Sequence, residues 1–123
     1  MSQRRLRILL VDDEPDILLL LQAMLSAETW EVVGKATNGE AALRIAEQIE
    51  PDVAVLDYMM PGMHGVEVAR ALKQLRPHCK VVLFTAFELD DQPPEIDRFL
   101  SKTNVHLLED LLEEMAGSTD APG

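Results

Sequence analysis

At 123 residues the chain has room for one compact domain with a useful core, but not for two ordinary domains. A hydrophobic content of 47% is that of a globular protein, the 4% aromatic content makes its core aliphatic, and a formal net charge of −11 argues against direct binding to nucleic-acid phosphates. The single cysteine, Cys79, has no internal disulfide partner and is expected to be buried and inert. The apolar run Ile8 to Val11 stops at Asp12-Asp13, far short of a signal-peptide core or the roughly 20 apolar residues of a membrane helix. A cytoplasmic protein with no membrane partner is therefore expected, with Arg4, Arg5 and Arg7 as a solvated N-terminus.

Leu6 to Val11 reads as a strand buried on both faces. Asp12-Asp13-Glu14-Pro15 ends it and opens a helix, with proline suited to the first turn and acids to the N-terminus. Ile17, Leu20, Leu21, Met24 and Leu25 repeat at helical spacing and predict its core face, widened by Leu18 and Leu19. A second strand spans Glu31 to Ala36. Asn38 is placed to cap the next helix, whose apolar positions are Ala42, Ile45, Ala46 and Ile49. Trp30 reads as partial core.

Pro51-Asp52 breaks that helix, and a third strand, Val53 to Leu56, delivers Asp57 to a loop punctuated by Pro61, Gly62 and Gly65. A helix from about Val66 to Leu75 turns Val68, Ala69, Leu72 and Leu75 inward and Arg70, Lys73 and Arg76 outward, and Pro77 closes it. Lys80 to Phe84 is a fourth strand, followed by Thr85-Ala86. Residues 87–97 lack a helical pattern, and Pro93-Pro94 predict a loop or at most one helical turn. Arg98 to Ser101 is a short fifth strand ending at Lys102. A last helix, Val105 to Met115, turns Leu108, Leu111, Leu112 and Met115 to one face. Residues 1–116 form the expected domain and 117–123 a flexible tail or the start of a linker.

Alternating strands and helices imply a parallel sheet covered on both faces. Right-handed crossovers make the flavodoxin-like order 2-1-3-4-5 the natural winding, an α/β doubly wound sheet with the helix between the fourth and fifth strands shortened or absent. That winding brings Asp12, Asp13, Asp57, Thr85, Ala86 and Lys102 to one edge, at the carboxyl ends of the strands. Carboxylates gathered this closely repel unless a cation joins them, and an all-oxygen set suits Mg²⁺. With an ammonium, a hydroxyl and a backbone N–H nearby, the arrangement suits a phosphoryl group, with Asp57 as a carboxylate nucleophile.

These motifs together resemble the response-regulator receiver domain of two-component signalling (the CheY-like family), over essentially residues 5 to 116. The matching pieces are Ile8 to Glu14, Asn38-Gly39 with Ala42-Leu43, Asp57 to Gly65, Thr85-Ala86 and Lys102. The resemblance implies that Asp57 accepts phosphate from a sensor histidine kinase. It implies that Asp12, Asp13, Asp57 and the Met59 carbonyl hold Mg²⁺, and that Thr85, the Ala86 N–H and Lys102 contact the phosphoryl oxygens. It also places Thr85 and Phe99 at switch positions. The expected product is a signalling switch rather than a turnover enzyme, acting on an unknown output protein or domain, with self-association as a homodimer left open. A phosphatase using a first-strand aspartate would leave Asp57 and Lys102 unexplained.

The chain departs from the family pattern in three places. The segment between Thr85 and Lys102 is short by roughly five residues, about a turn and a half of helix. Thr103 stands where proline usually follows the lysine, which makes a trans bond the expectation. His64 replaces a common acid, and His64, His78 and His106 lack ligand spacing. The short segment motivates an alternative: an atypical receiver acting as a phosphorylation-independent protein-interaction module.

Overall fold

A computed structural model describes residues 6–25, 30–86 and 92–119, the side chains of 117–119 excepted. Five strands, β1 (Leu6–Val11), β2 (Trp30–Ala36), β3 (Val53–Asp57), β4 (Lys80–Thr85) and β5 (Arg98–Ser101), form a parallel sheet in the order β2-β1-β3-β4-β5. Among the described residues the α-helices are α1 (Pro15–Met24), α2 (Gly39–Gln48), α3 (Gly65–Leu75) and α4 (Leu108–Thr119). This is the expected flavodoxin-like winding.

The strand alternation sorts the core into two layers. Leu9, Val11, Ala54, Leu56, Val81 and Leu83 pack with Ala42, Ala46, Val68, Ala69 and Leu72 of α2 and α3. Their sequence neighbours Ile8, Leu10, Val53, Val55, Val82 and Phe84 pack with Leu18, Leu21, Leu108, Leu112 and Met115 of α1 and α4. Because both faces are covered, the central strands are apolar throughout rather than alternating, as a parallel sheet requires. Cys79 lies buried at the foot of β4, and burial pushes its thiol up to about 12.

Local signals explain the boundaries. Pro15 occupies the first turn of α1, and the Asn38 side chain accepts from Ala41 N–H (2.8 Å) at the start of α2. At α3, Glu67 Oε1 accepts from the His64 N–H (3.0 Å), and the His64 ring stacks on Tyr58 at 5.9 Å. His64 is thus a helix-cap residue in this chain, which gives a structural reason for its place in the loop.

The structure corrects several details. The buried face of α1 is Leu18, Leu21 and Leu25, whereas Leu20 is 46% and Leu19 61% exposed. A run of four leucines, Leu18 to Leu21, carries no phase information, so periodicity could not choose the face. Arg76 does not simply point outward: it donates to Ala46 O and Glu47 O and pairs with Glu50, tying α3 to the end of α2. Lys73 likewise reaches Cys79 O and Asp97. The last helical stretch begins as a 3₁₀ segment, Lys102–Leu107, capped by Ser101 Oγ accepting from Thr103 N–H (3.3 Å). It runs through Thr119, past the expected end near Met115, because no proline interrupts residues 116–119 and one Gly117 is too weak a breaker.

Between β4 and β5, residues 92–97 contain a turn, with Ile96 N–H donating to Pro93 O (3.0 Å), and no helix. The helix of this crossover is shortened or absent; the part of the loop expectation that falls on 87–91 lies outside the described residues.

Candidate functional site

Among the described residues, the polar or charged side chains buried as deeply as the core are Asp12, Asp57 and Thr85, exposed by 1%, 5% and 4%. Each belongs to the carboxyl end of a neighbouring strand: Asp12 follows β1, Asp57 ends β3 and Thr85 ends β4. The order β1-β3-β4-β5 then adds Lys102, the residue after β5. Ligands in open α/β sheets bind at this edge, where the winding changes direction.

Backbone geometry aims the groups. Asp12 N–H donates to Ala36 O (3.1 Å), and Asp12 Oδ1 accepts from Glu14 N–H (2.9 Å), which holds one carboxylate oxygen against the entry to α1. The other oxygen, Oδ2, is sealed from solvent and accepts no hydrogen bond; the Lys102 ammonium faces it as an ion pair at 3.1 Å. The same ammonium lies 3.3 Å from Asp57 Oδ1 and 5.7 Å from the centre of the Phe84 ring. Gly65 N–H donates to Tyr58 O (2.9 Å), folding the loop after Asp57 back on itself. A Cβ on Gly65 would strike the Asp57 carbonyl and Leu83, so only glycine lets α3 start this close to the site. Gly62 supplies the positive φ of +85° in the same loop.

Burial raises the Asp57 carboxyl to about 6, with Asp12 adding to the rise and Lys102 opposing it. For Lys102 burial works the other way, but the Asp12 and Asp57 carboxylates outweigh it and raise the ammonium. The lysine is therefore firmly cationic, while Asp57 is poorly compensated. Carboxylate oxygens of Asp12, Asp13 and Asp57 lie within 4.8 Å of one another. Set against one ammonium, these acids leave a surplus of negative charge and a buried oxygen, Asp12 Oδ2, short of a hydrogen bond. A hard divalent cation with oxygen preference, such as Mg²⁺, fits that donor set.

The structure thus brings Asp12, Asp13, Asp57 and Lys102 together. Thr85 is buried beside them in sequence register, paired with Ser101 across β4–β5, and Ala86 follows it at the exposed rim. Met59 stands in the loop with its side chain 48% exposed. Phe99 is half-buried against the α2/α3 layer, on the opposite face of β5 from Leu100. The Lys102–Thr103 bond is trans. Sequence reasoning overlooked the close approach that Gly65 allows; the sequence signal for it was a glycine at a helix start.

A five-stranded flavodoxin-like domain with a cluster of acids paired to one lysine at its strand ends is the class that fold and site define. The chain belongs to the response regulator receiver domain family, whose model matches residues 8–113. It is 37% identical to response regulator GacA of Pseudomonas aeruginosa over 92 residues, covering 74% of this chain and 43% of that protein. It is 30% identical over 80 residues to chemotaxis protein CheY of Thermotoga maritima, covering 65% of this chain and 67% of that one. A CheY-like receiver domain of Methanospirillum hungatei superposes with a TM-score of 0.88 at 25% identity, covering 98% of this chain and all (100%) of the other. Response regulator TrrA of Thermotoga maritima, solved in complex with Mg²⁺-BeF, does so with a TM-score of 0.78 at 34% identity, covering 88% and 96%. The chain spans 43% of GacA and 38% of a P. aeruginosa putative transcriptional regulator that it also matches. Receiver domains are signalling modules rather than turnover enzymes. No helix among the described residues is long and apolar enough to cross a membrane.

Proposed function

We propose that this chain is a phospho-accepting receiver, taking a phosphoryl group from a sensor histidine kinase onto Asp57 in the cytoplasm. The observation that carries the reading is the Asp57 carboxylate at the end of β3, 5% exposed and 3.3 Å from the Lys102 ammonium. With its pKa near 6, Asp57 is mostly ionised at pH 7 and available as a nucleophile. One Asp57 oxygen bonds to phosphorus as the bond from phosphorus to the donor imidazole breaks. The imidazole keeps the electron pair and takes a proton from solvent. Lys102 then neutralises a phosphoryl oxygen, and the Thr85 hydroxyl and Ala86 N–H take the others by hydrogen bonding.

Asp12, Asp13, Asp57 and the Met59 carbonyl would hold Mg²⁺, which when bound supplies the charge neutralisation that positioning-dominated phosphoryl transfer requires. The relative TrrA, solved with Mg²⁺-BeF, supports this reading. On phosphorylation, Thr85 moves toward the new charge and Phe99 follows, altering contacts with an output protein or domain, or with a second copy of the chain. Residues 1–116 constitute this receiver, and α4 continues beyond them through Thr119. Incubation with a small-molecule phosphodonor is expected to label the wild type only when Mg²⁺ is present and to leave Asp57→Asn unlabelled. Equal labelling of the two proteins would overturn the assignment.

The crossover favours one second reading. Residues 92–97 hold no helix that could move between Thr85 and Phe99, so the domain could serve as a phosphorylation-independent interaction module. Under that reading partner binding is the same for wild type and Asp57→Asn, and loss of binding in the variant excludes it.

A further inference from the structure

Asp97 takes no part in the pocket, yet three polar contacts converge on it. Its N–H donates to Val81 O (2.9 Å), and its Oδ2 accepts both Val81 N–H (2.8 Å) and the Lys73 ammonium (2.7 Å). One residue thereby grips both backbone polar groups of Val81, directly before the first β4–β5 pair, Val82 with Arg98. Lys73, reaching from α3, closes the grip and also donates to Cys79 O (2.8 Å).

The grip matters because β5 is a four-residue edge strand. A one-residue slip is already forbidden: it would exchange Phe99, which packs on the α2/α3 layer, with Leu100, which packs on the α1/α4 layer. A two-residue slip keeps each side chain on its face and is not excluded by alternation. At about 3.3 Å per residue it would carry Lys102 ~6.6 Å along the sheet, out of reach of both carboxylates. Residues 92–97, being a turn rather than a helix, offer no packed helix end to hold the start of the strand.

We infer that Asp97 is a positioning residue, which sets the β5 register by clasping Val81 and so places the Lys102 ammonium between Asp12 and Asp57. Its consequence for phosphorylation rests on the receiver reading above, whereas the placement itself does not. The test is a double-mutant cycle by urea unfolding in metal-free buffer with Asp97→Ala, Lys102→Ala and the double variant. It is joined by phosphodonor labelling rates for Asp97→Ala and Asp97→Asn. Asparagine retains a carbonyl oxygen for Val81 N–H, so Asp97→Asn is expected to label within about twofold of wild type while Asp97→Ala labels on the order of tenfold more slowly. In the cycle, Asp97→Ala is expected to shift the unfolding constant less, by at least about twofold, when Lys102 is already absent. An additive cycle overturns the inference, as do equal labelling rates for Asp97→Ala and wild type. If the wild type takes no label at all, the receiver reading fails while the unfolding cycle still decides the role of Asp97.

Discussion

The Lys102 ammonium and Asp12 Oδ2 meet 3.1 Å apart, with Asp12 1% exposed and Lys102 21%. The lysine is the cation through which the buried acids Asp12 and Asp57 tolerate one another. Replacing one partner of a buried pair leaves an uncompensated charge, at a cost of about 3–5 kcal/mol when burial is complete. Lys102 keeps some solvent access, so Lys102→Met is expected to destabilise the metal-free protein by about 2–3 kcal/mol. Urea unfolding checks this, and Mg²⁺ should restore much of the loss. An unchanged midpoint would show that the pair contributes nothing.

Asp57 predicts the opposite sign. Its carboxyl stands at about 6 in the folded protein against an ordinary 3.8, so the fold binds a proton that the unfolded chain has released. The resulting penalty is fully present above pH 6, fades as pH falls through the window from 6 to about 4, and is absent below it. Asp57→Asn should therefore stabilise the metal-free protein at pH 7.5, by up to roughly 3 kcal/mol. The gain should disappear near pH 4. A gain independent of pH would mean that the carboxylate is not strained by its setting.

Gly65 allows α3 to begin against the Asp57 carbonyl. Gly65→Ala forces backbone or Leu83 to move, and overpacking of this kind costs about 1–3 kcal/mol. The expected result is a lower unfolding midpoint together with slower labelling of Asp57. Wild-type values for both would place the helix start further from the site.

On α1, Leu18 is buried and Leu19 is 61% exposed. Leu18→Ala should cost about 2–5 kcal/mol, whereas Leu19→Ala should stay within about 0.5 kcal/mol of wild type. Reversed costs would mean that Leu19, rather than Leu18, faces the core.

That helix shows where the sequence stopped being informative. Strand positions were legible because short apolar runs were bounded by strong breakers, ending at Asp12 and at Thr37-Asn38-Gly39 and starting after Pro51-Asp52. The pocket was legible because unlike chemistry, namely Asp57, Thr85 and Lys102, interrupted apolar strands at their carboxyl ends. In α1 four successive leucines hid the phase. Arg76 and Lys73 looked like solvated surface because their acceptors, such as Ala46 O and Cys79 O, are backbone carbonyls. Such acceptors leave no side-chain signature. The 3₁₀ entry to α4 followed from a serine cap at Ser101, a signal too common to have been decisive.

The proposed transfer of a phosphoryl group to Asp57 can be tested at the residue itself. The most direct measurement is to incubate the protein with phosphodonor and Mg²⁺, trap any acyl phosphate with borohydride, and map the reduced residue by peptide mass spectrometry. Homoserine is expected at position 57, absent when Mg²⁺ is removed. Unreduced Asp57 in a protein that has taken up label, or reduction at another carboxylate, would contradict it.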